Sequence, residues 1–246
     1  MPIIDFEPNS KLPDGGLWYA ETNPHAIIVE PHNTWTAALF IAIAGWWIFK
    51  LYPARQKYSF LFASSIVLMV GAIGGTIYHA FRWSAFFIMM DWLPILLLCL
   101  MASVYFLFRT FNNIKIALGI ISTMLMIVIT VWNIGDRSGH YNINVNYSLM
   151  AITVLGSVWL YMHKIRYRYS GYVLVGIICF ALALTFRIVD QQGILPQGTH
   201  FIWHLFGLGA CHSMFTYIYR SRPLIDTDRI RFRKLKINKL SWGYLF

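Results

Sequence analysis

Seven apolar stretches, each about as long as a bilayer core is thick, leave this chain few ways to fold. A helix needs roughly 20 apolar residues to cross the hydrocarbon region. Such runs occur at about 34–51, 58–81, 85–108, 114–134, 145–163, 171–189 and 199–219. They are continuous rather than alternating, which argues against a β-barrel. The connections are short, and there is no internal repeat or low-complexity stretch. The expected fold is therefore one all-α membrane protein, a seven-transmembrane helix bundle at 34–219. Residues 1–33 form an extramembrane N-terminal segment, and 220–246 a basic tail. With 58% hydrophobic and 12% charged residues in 246, the chain has more apolar surface than a soluble domain buries. The stretch MPIIDFEPNSKLPDGG is polar and lacks the basic and apolar regions of a signal peptide.

The charges give an orientation. Lys50, Arg55, Lys57, Arg109, Lys115, Lys164, Arg166 and Arg168 fall in one set of connections. Arg220, Arg222, Arg229, Arg231, Arg233, Lys234, Lys236 and Lys239 follow in the tail, on the same side. Only Lys11, Arg82, Arg137 and Arg187 lie opposite. The positive-inside rule then places the tail in the cytoplasm and the N-terminus outside or in a lumen. Asp5, Glu7, Asp14, Glu21, Glu30, Asp91, Asp136 and Asp190 gather on that outer side. The net charge of +10 is confined to connections and tail, so no nucleic-acid partner is expected. The tail reads either as a solvated segment or as a surface helix on anionic lipid. Cys99, Cys179 and Cys211 lie in apolar runs without CxxC spacing, which disfavours disulfides and cysteine metal sites.

Against this background, the stretch THFIWHLFGLGACH stands out. His200 and His204 are four apart and share a helix face in the outer half of the seventh run. His79 ends the second run, which travels outward, and Asp91 begins the third, which travels inward. Topology alone brings all four to a similar depth. Polar residues at that depth are costly and usually functional. Three neutral imidazoles suit Zn²⁺ and leave a fourth position for water, whose proton a carboxylate such as Asp91 can take. The plain alternative is that each histidine caps a helix or bonds a neighbour. Bis-histidine haem through His79 and His204 is a third reading. The multi-cluster arrangement of membrane iron hydroxylases does not fit, because the remaining histidines are scattered. His212 lies about two turns deeper than His204, too far for ligation. His25 and His163 fall in a loop or at an interface and receive no role.

Three segments carry a resemblance. FRIVDQQGILPQGTHFIWHLFGLGACH has an Asp-containing loop followed by His-x-x-Trp-His and a glycine-containing helical turn. GAIGGTIYHAFRWSAFFIMMD has a His and then an Asp, and EPHNTW has the Glu and Asn that enter the first helix. Together they resemble the alkaline ceramidase family, within the seven-transmembrane hydrolase superfamily that includes the progestin and adipoQ receptors. The resemblance covers nearly the whole chain. It implies a zinc amidase that hydrolyses the N-acyl bond of ceramide-like lipids in the membrane. His79, His200 and His204 would be zinc ligands, and Asp91 would hold and deprotonate the attacking water. It further implies a Ca²⁺ site at Glu21, Asn23 and Glu30, oxygen ligands that suit this ion. Two features depart from the family. Its serine, four residues before the first His, is Gly75 here, and the adjacent Thr76 would replace it if the helix bulges. Asp91 follows His79 by twelve residues, one more than the family spacing. The second functional reading is a seven-helix receptor-like or lipid-binding protein with a structural zinc and no turnover.

Overall fold

The computed structural model describes residues 12–134 and 139–242. Asp5, Glu7, Lys11, Asp136 and Arg137 lie outside the described residues, as do the tail side chains from residue 224 onward. Among the described residues the chain is all-helical, with no strand. The helices are α1 (Pro31–Leu51), α2 (Ser59–Phe81), α3 (Ala85–Phe111), α4 (Ile114–Ile134), α5 (Gly139–Lys164), α6 (Ser170–Ile188) and α7 (His200–Trp242).

Several boundaries differ from the apolar runs, and the third helix continues to Phe111. The first helix starts at Pro31, where the fixed φ and missing N–H of proline suit the first turn. The fifth starts at Gly139, ahead of the apolar stretch. The last does not stop at 219 but stays helical through Trp242, with Pro223 inside it. Apolarity reports what a bilayer accepts, while helicity persists wherever nothing breaks it.

Four helical segments are long and apolar enough to cross a membrane: Pro31–Ala54, Ser59–Phe81, Ala85–Phe111 and Ser170–Ile188. Ile114–Ile127 is apolar but shorter. The exposed faces fit lipid contact. Ile66, Val70 and Ile73 on α2, and Leu174, Ile178 and Leu182 on α6, recur at helical spacing and are exposed.

The chain divides into two compact units, and the division falls within α3, α6 and α7. The first holds residues up to Leu98 together with Ile177–Cys211. In it α1 packs on α2, burying Ala44, Trp47, Leu51, Leu61 and Leu68. Gly71, Gly74 and Gly75 let α3 approach α2 closely. An added Cβ would stand 2.7 Å from Pro94 Cβ, 2.3 Å from Met90 Cβ and 2.4 Å from Asp91 Oδ1, respectively. The segment before α1 runs back along the end of α2. Val29 N–H donates to Ala80 O (2.9 Å) and Glu30 N–H to His79 O (3.2 Å), satisfying carbonyls the helix end leaves open.

The second unit holds Cys99–Gly176 and the chain from His212. Leu107, Ala117 and Ile121 form its apolar core. The Lys164 ammonium donates to Arg109 O (2.8 Å) and Thr110 O (2.6 Å), capping the end of α3 with a cation.

Candidate metal centre

His200 and His204 project from the first turns of α7, and His79 from the last turn of α2. The three side chains converge in the first unit, and one ligating atom of each lies within 4.8 Å of the others. All three are buried, His79 completely. The His79 and His200 rings each lie 4.9 Å from that of His204, or 5.5 Å from each other, centroid to centroid. The His79 and His204 rings are only 4.9 Å apart, centroid to centroid, too close for a porphyrin plane between them, so the haem reading fails on geometry.

The hydrogen bonds decide which nitrogens are bare. Glu30 Oε2 lies 2.6 Å from His79 Nδ1. An ionised carboxylate only accepts, so Nδ1 carries the proton and Nε2 keeps its lone pair. That Nε2 is buried without a protein hydrogen bond. Thr36 Oγ1 lies 2.9 Å from His204 Nδ1 and spends its own proton on His32 O (2.7 Å). It therefore accepts from Nδ1–H, which leaves Nε2 of His204 bare. His200 Nδ1 is likewise buried without a protein partner. Carboxylate or hydroxyl acceptors behind inward-facing imidazoles are the arrangement that orients metal ligands. The donor set fits a metal ion, and imidazole suits zinc, copper, iron and nickel alike.

Several neighbours fix this geometry. Tyr19, from the segment before α1, stacks on the His200 ring at 4.0 Å. Asp190 sets the start of α7. Its Oδ1 accepts from the Thr199 and His200 N–H groups (both 2.7 Å), and its Oδ2 from Ala20 N–H (3.0 Å). Gly198 must be glycine there, with φ of 73° and an added Cβ only 2.4 Å from Asp190 Oδ1. The sequence reading placed Asp190 on the outer side but gave it no partner, and it missed Tyr19 and Thr36.

Asp91 lies outside the trio of ligating groups. It is half-buried on α3 against Gly75, one helical turn before His79 on α2. The α2 helix is continuous from Ser59 to Phe81, and the Thr76 hydroxyl donates to Ala72 O (2.7 Å), the usual back-bond of a mid-helix threonine.

The oxygens assigned to calcium are engaged by protein donors. Glu21 accepts from the Asn33 N–H (2.7 Å) and from the His32 N–H (3.0 Å), at the start of α1. Asn23 Oδ1 accepts from His25 N–H (3.1 Å) in an exposed turn. Glu30 accepts from Thr22 Oγ1 (2.7 Å), Arg82 and His79. Burial opposes its ionisation, but the hydrogen bond from His79, the Arg82 guanidinium and the hydrogen bond from Thr22 outweigh this and hold the carboxyl below its ordinary value. His212 lies outside the trio, and His25 is exposed. No known protein family matches the chain, and no curated protein does.

Proposed function

We propose that this chain is an integral-membrane, zinc-dependent amidase that hydrolyses the N-acyl bond of ceramide-like lipids to a sphingoid base and a fatty acid. The reading includes seven membrane spans, an N-terminus outside or lumenal and a cytoplasmic tail, as the lysine and arginine distribution indicates. One observation carries it: buried His79, His200 and His204 converge, and carboxylate and hydroxyl acceptors turn the nitrogens of His79 and His204 inward. The resemblance to the alkaline ceramidases supplies the substrate class.

A zinc ion held there supplies Lewis acidity towards water and the amide carbonyl. Glu30 and Thr36 hold the His79 and His204 rings, and Asp190 fixes the backbone that presents His200. Asp91 is not among the ligating groups, so its carboxylate is available to take a proton from the attacking water. It then returns that proton to the leaving nitrogen as the C–N bond breaks.

The second reading, a receptor-like or lipid-binding protein with a structural metal, draws on α2. Gly75 has no side chain and the Thr76 hydroxyl proton is spent on Ala72, so neither position offers the hydroxyl proton that the family serine would.

Elemental analysis and turnover on N-acyl sphingoid lipids separate these readings. About one zinc per chain is expected in the wild type and none in His204→Ala. Asp91→Asn should keep zinc and lose about 100-fold or more in turnover. A folded wild type without a transition metal refutes the proposal. Zinc without turnover on any lipid amide favours the second reading, and Asp91→Asn hydrolysing like wild type removes the role given to Asp91.

A further inference from the structure

Arg82 caps the end of α2 in a left-handed conformation, φ 52°, three residues beyond His79. Its guanidinium is buried, although it belongs to one of the most strongly hydrated side-chain classes. Nε donates to Asp14 Oδ2 (2.5 Å), Nη2 to Asp14 Oδ1 (3.2 Å) and Leu17 O (3.0 Å), and Nη1 to Glu30 Oε1. The faces of Tyr78 and Tyr19 lie 4.7 and 5.7 Å from the guanidinium carbon. The bidentate grip on Asp14 fixes the plane of the fork.

Glu30 divides its two oxygens between this cation and the metal centre. Arg82 and Thr22 take Oε1, while Oε2 faces His79 Nδ1 at 2.6 Å. Glu30 and His79 are both fully buried, and His79 Nε2 lacks a protein partner. A continuous run of polar contacts thus leads from Asp14 through Arg82 and Glu30 to the bare nitrogen. Its charges are two carboxylates and one guanidinium. The net single negative charge beside three neutral imidazoles favours a dication. A buried Arg–carboxylate pair alone is weak evidence of function, because its desolvation offsets much of its attraction. This one ends on an imidazole whose other nitrogen is bare.

We infer that Arg82 is a positioning residue for the metal centre: by holding Glu30 Oε1 it turns Oε2 onto His79 Nδ1 and presents His79 Nε2 to the ion. The inference rests on the metal-dependent reading above. It makes the segment before α1, through Asp14 and Glu30, part of the metal site.

The test uses the full chain in nanodiscs, with zinc affinity from chelator competition and the visible spectrum of the cobalt-loaded protein. Arg82→Gln should weaken zinc about 10- to 100-fold, the range for loss of a group that orients a ligand. It should also change the cobalt bands. Arg82→Lys keeps a cation at Glu30 and should recover part of that loss. Glu30→Gln should weaken zinc by a similar factor, and adding Arg82→Lys or Arg82→Gln to it should cost little more, because Arg82 acts through Glu30. Should Arg82→Gln fail to fold, Arg82→Lys with and without Glu30→Gln carries the same comparison. A purely structural ion pair predicts a lower melting temperature with unchanged zinc affinity and cobalt bands in the folded protein, and that result overturns the inference alone. A folded wild type that binds neither ion overturns the metal-dependent reading itself, and the inference with it.

Discussion

Gly75→Ala isolates the position of the Asp91 carboxylate from the stability of the fold. A Cβ at residue 75 would lie 2.4 Å from Asp91 Oδ1, against 3.4 Å from its Cγ and 3.9 Å from its Cβ. Only the oxygen is too close. It must retreat by about 1 Å to reach ordinary contact, and rotation about the Asp91 side-chain bonds allows that at little cost. Alanine is also about 1 kcal/mol better than glycine inside a helix. The melting temperature should therefore hold or rise slightly. Turnover should not hold, because a displacement of about 1 Å at a reacting group costs about 100-fold. The loss should fall on kcat, with zinc content unchanged, since the three histidines are not touched. Gly74→Ala is the control. Its Cβ would meet Met90 Cβ at 2.3 Å and the Met90 backbone carbon and oxygen at 3.1 Å, so α2 and α3 must separate. That overpacking should cost about 1–3 kcal/mol, read by thermal melting in detergent. Wild-type turnover in Gly75→Ala would refute the argument that Asp91 works from the position it occupies here.

Two further outcomes follow from the same contacts. Thr76→Val should change zinc content not at all and turnover by less than about twofold, because the hydroxyl serves only a local back-bond; a large loss of turnover would place Thr76 at the metal after all. The folded Glu30 carboxyl titrates below its ordinary value near 4.5, so its ionised form stabilises the fold above that pH, and the stabilisation drains away as pH falls through the lower folded value. Melting temperature should decline below about pH 4.5, and the decline should be shallower in Glu30→Gln; equal slopes would refute the contribution of Glu30.

The three histidines were legible because helical spacing and alternating span direction are properties of the sequence. The spacing of His200 and His204 defines one face, and the opposite travel of α2 and α3 fixes the end at which His79 and Asp91 stand. What orients them was not legible. Glu30 looks like any acid ahead of a helix, and only the backbone pairing of residues 29 and 30 with the end of α2 shows that it lies behind His79. The back-bond of Thr76 to Ala72 was not legible either, because sequence gives a residue type but not the direction of its hydroxyl. Gly75 read as the loss of a functional side chain. In three dimensions it is the space that Asp91 Oδ1 occupies. The tail was open between a solvated segment and a surface helix, and its continuity with the seventh run was not legible, because apolar runs measure compatibility with lipid rather than helix length.

The contacts around Asp190 also set an order of assembly. Ala20 and Asp190 are 170 residues apart, and Thr36 and His204 are 168 apart. A chain emerging from its N-terminus can form the contact between Glu30 and His79 once α2 is made, a separation of only 49 residues. His79 is thus held in place long before the other two histidines exist. The segment carrying Tyr19 and Ala20 must wait for about 170 further residues to be synthesised. Only when Asp190 and the start of α7 are made do its last anchor points arrive. The pocket is therefore closed by segments some 170 residues apart in the chain, and a chain released before α7 would hold His79 without the other two histidines.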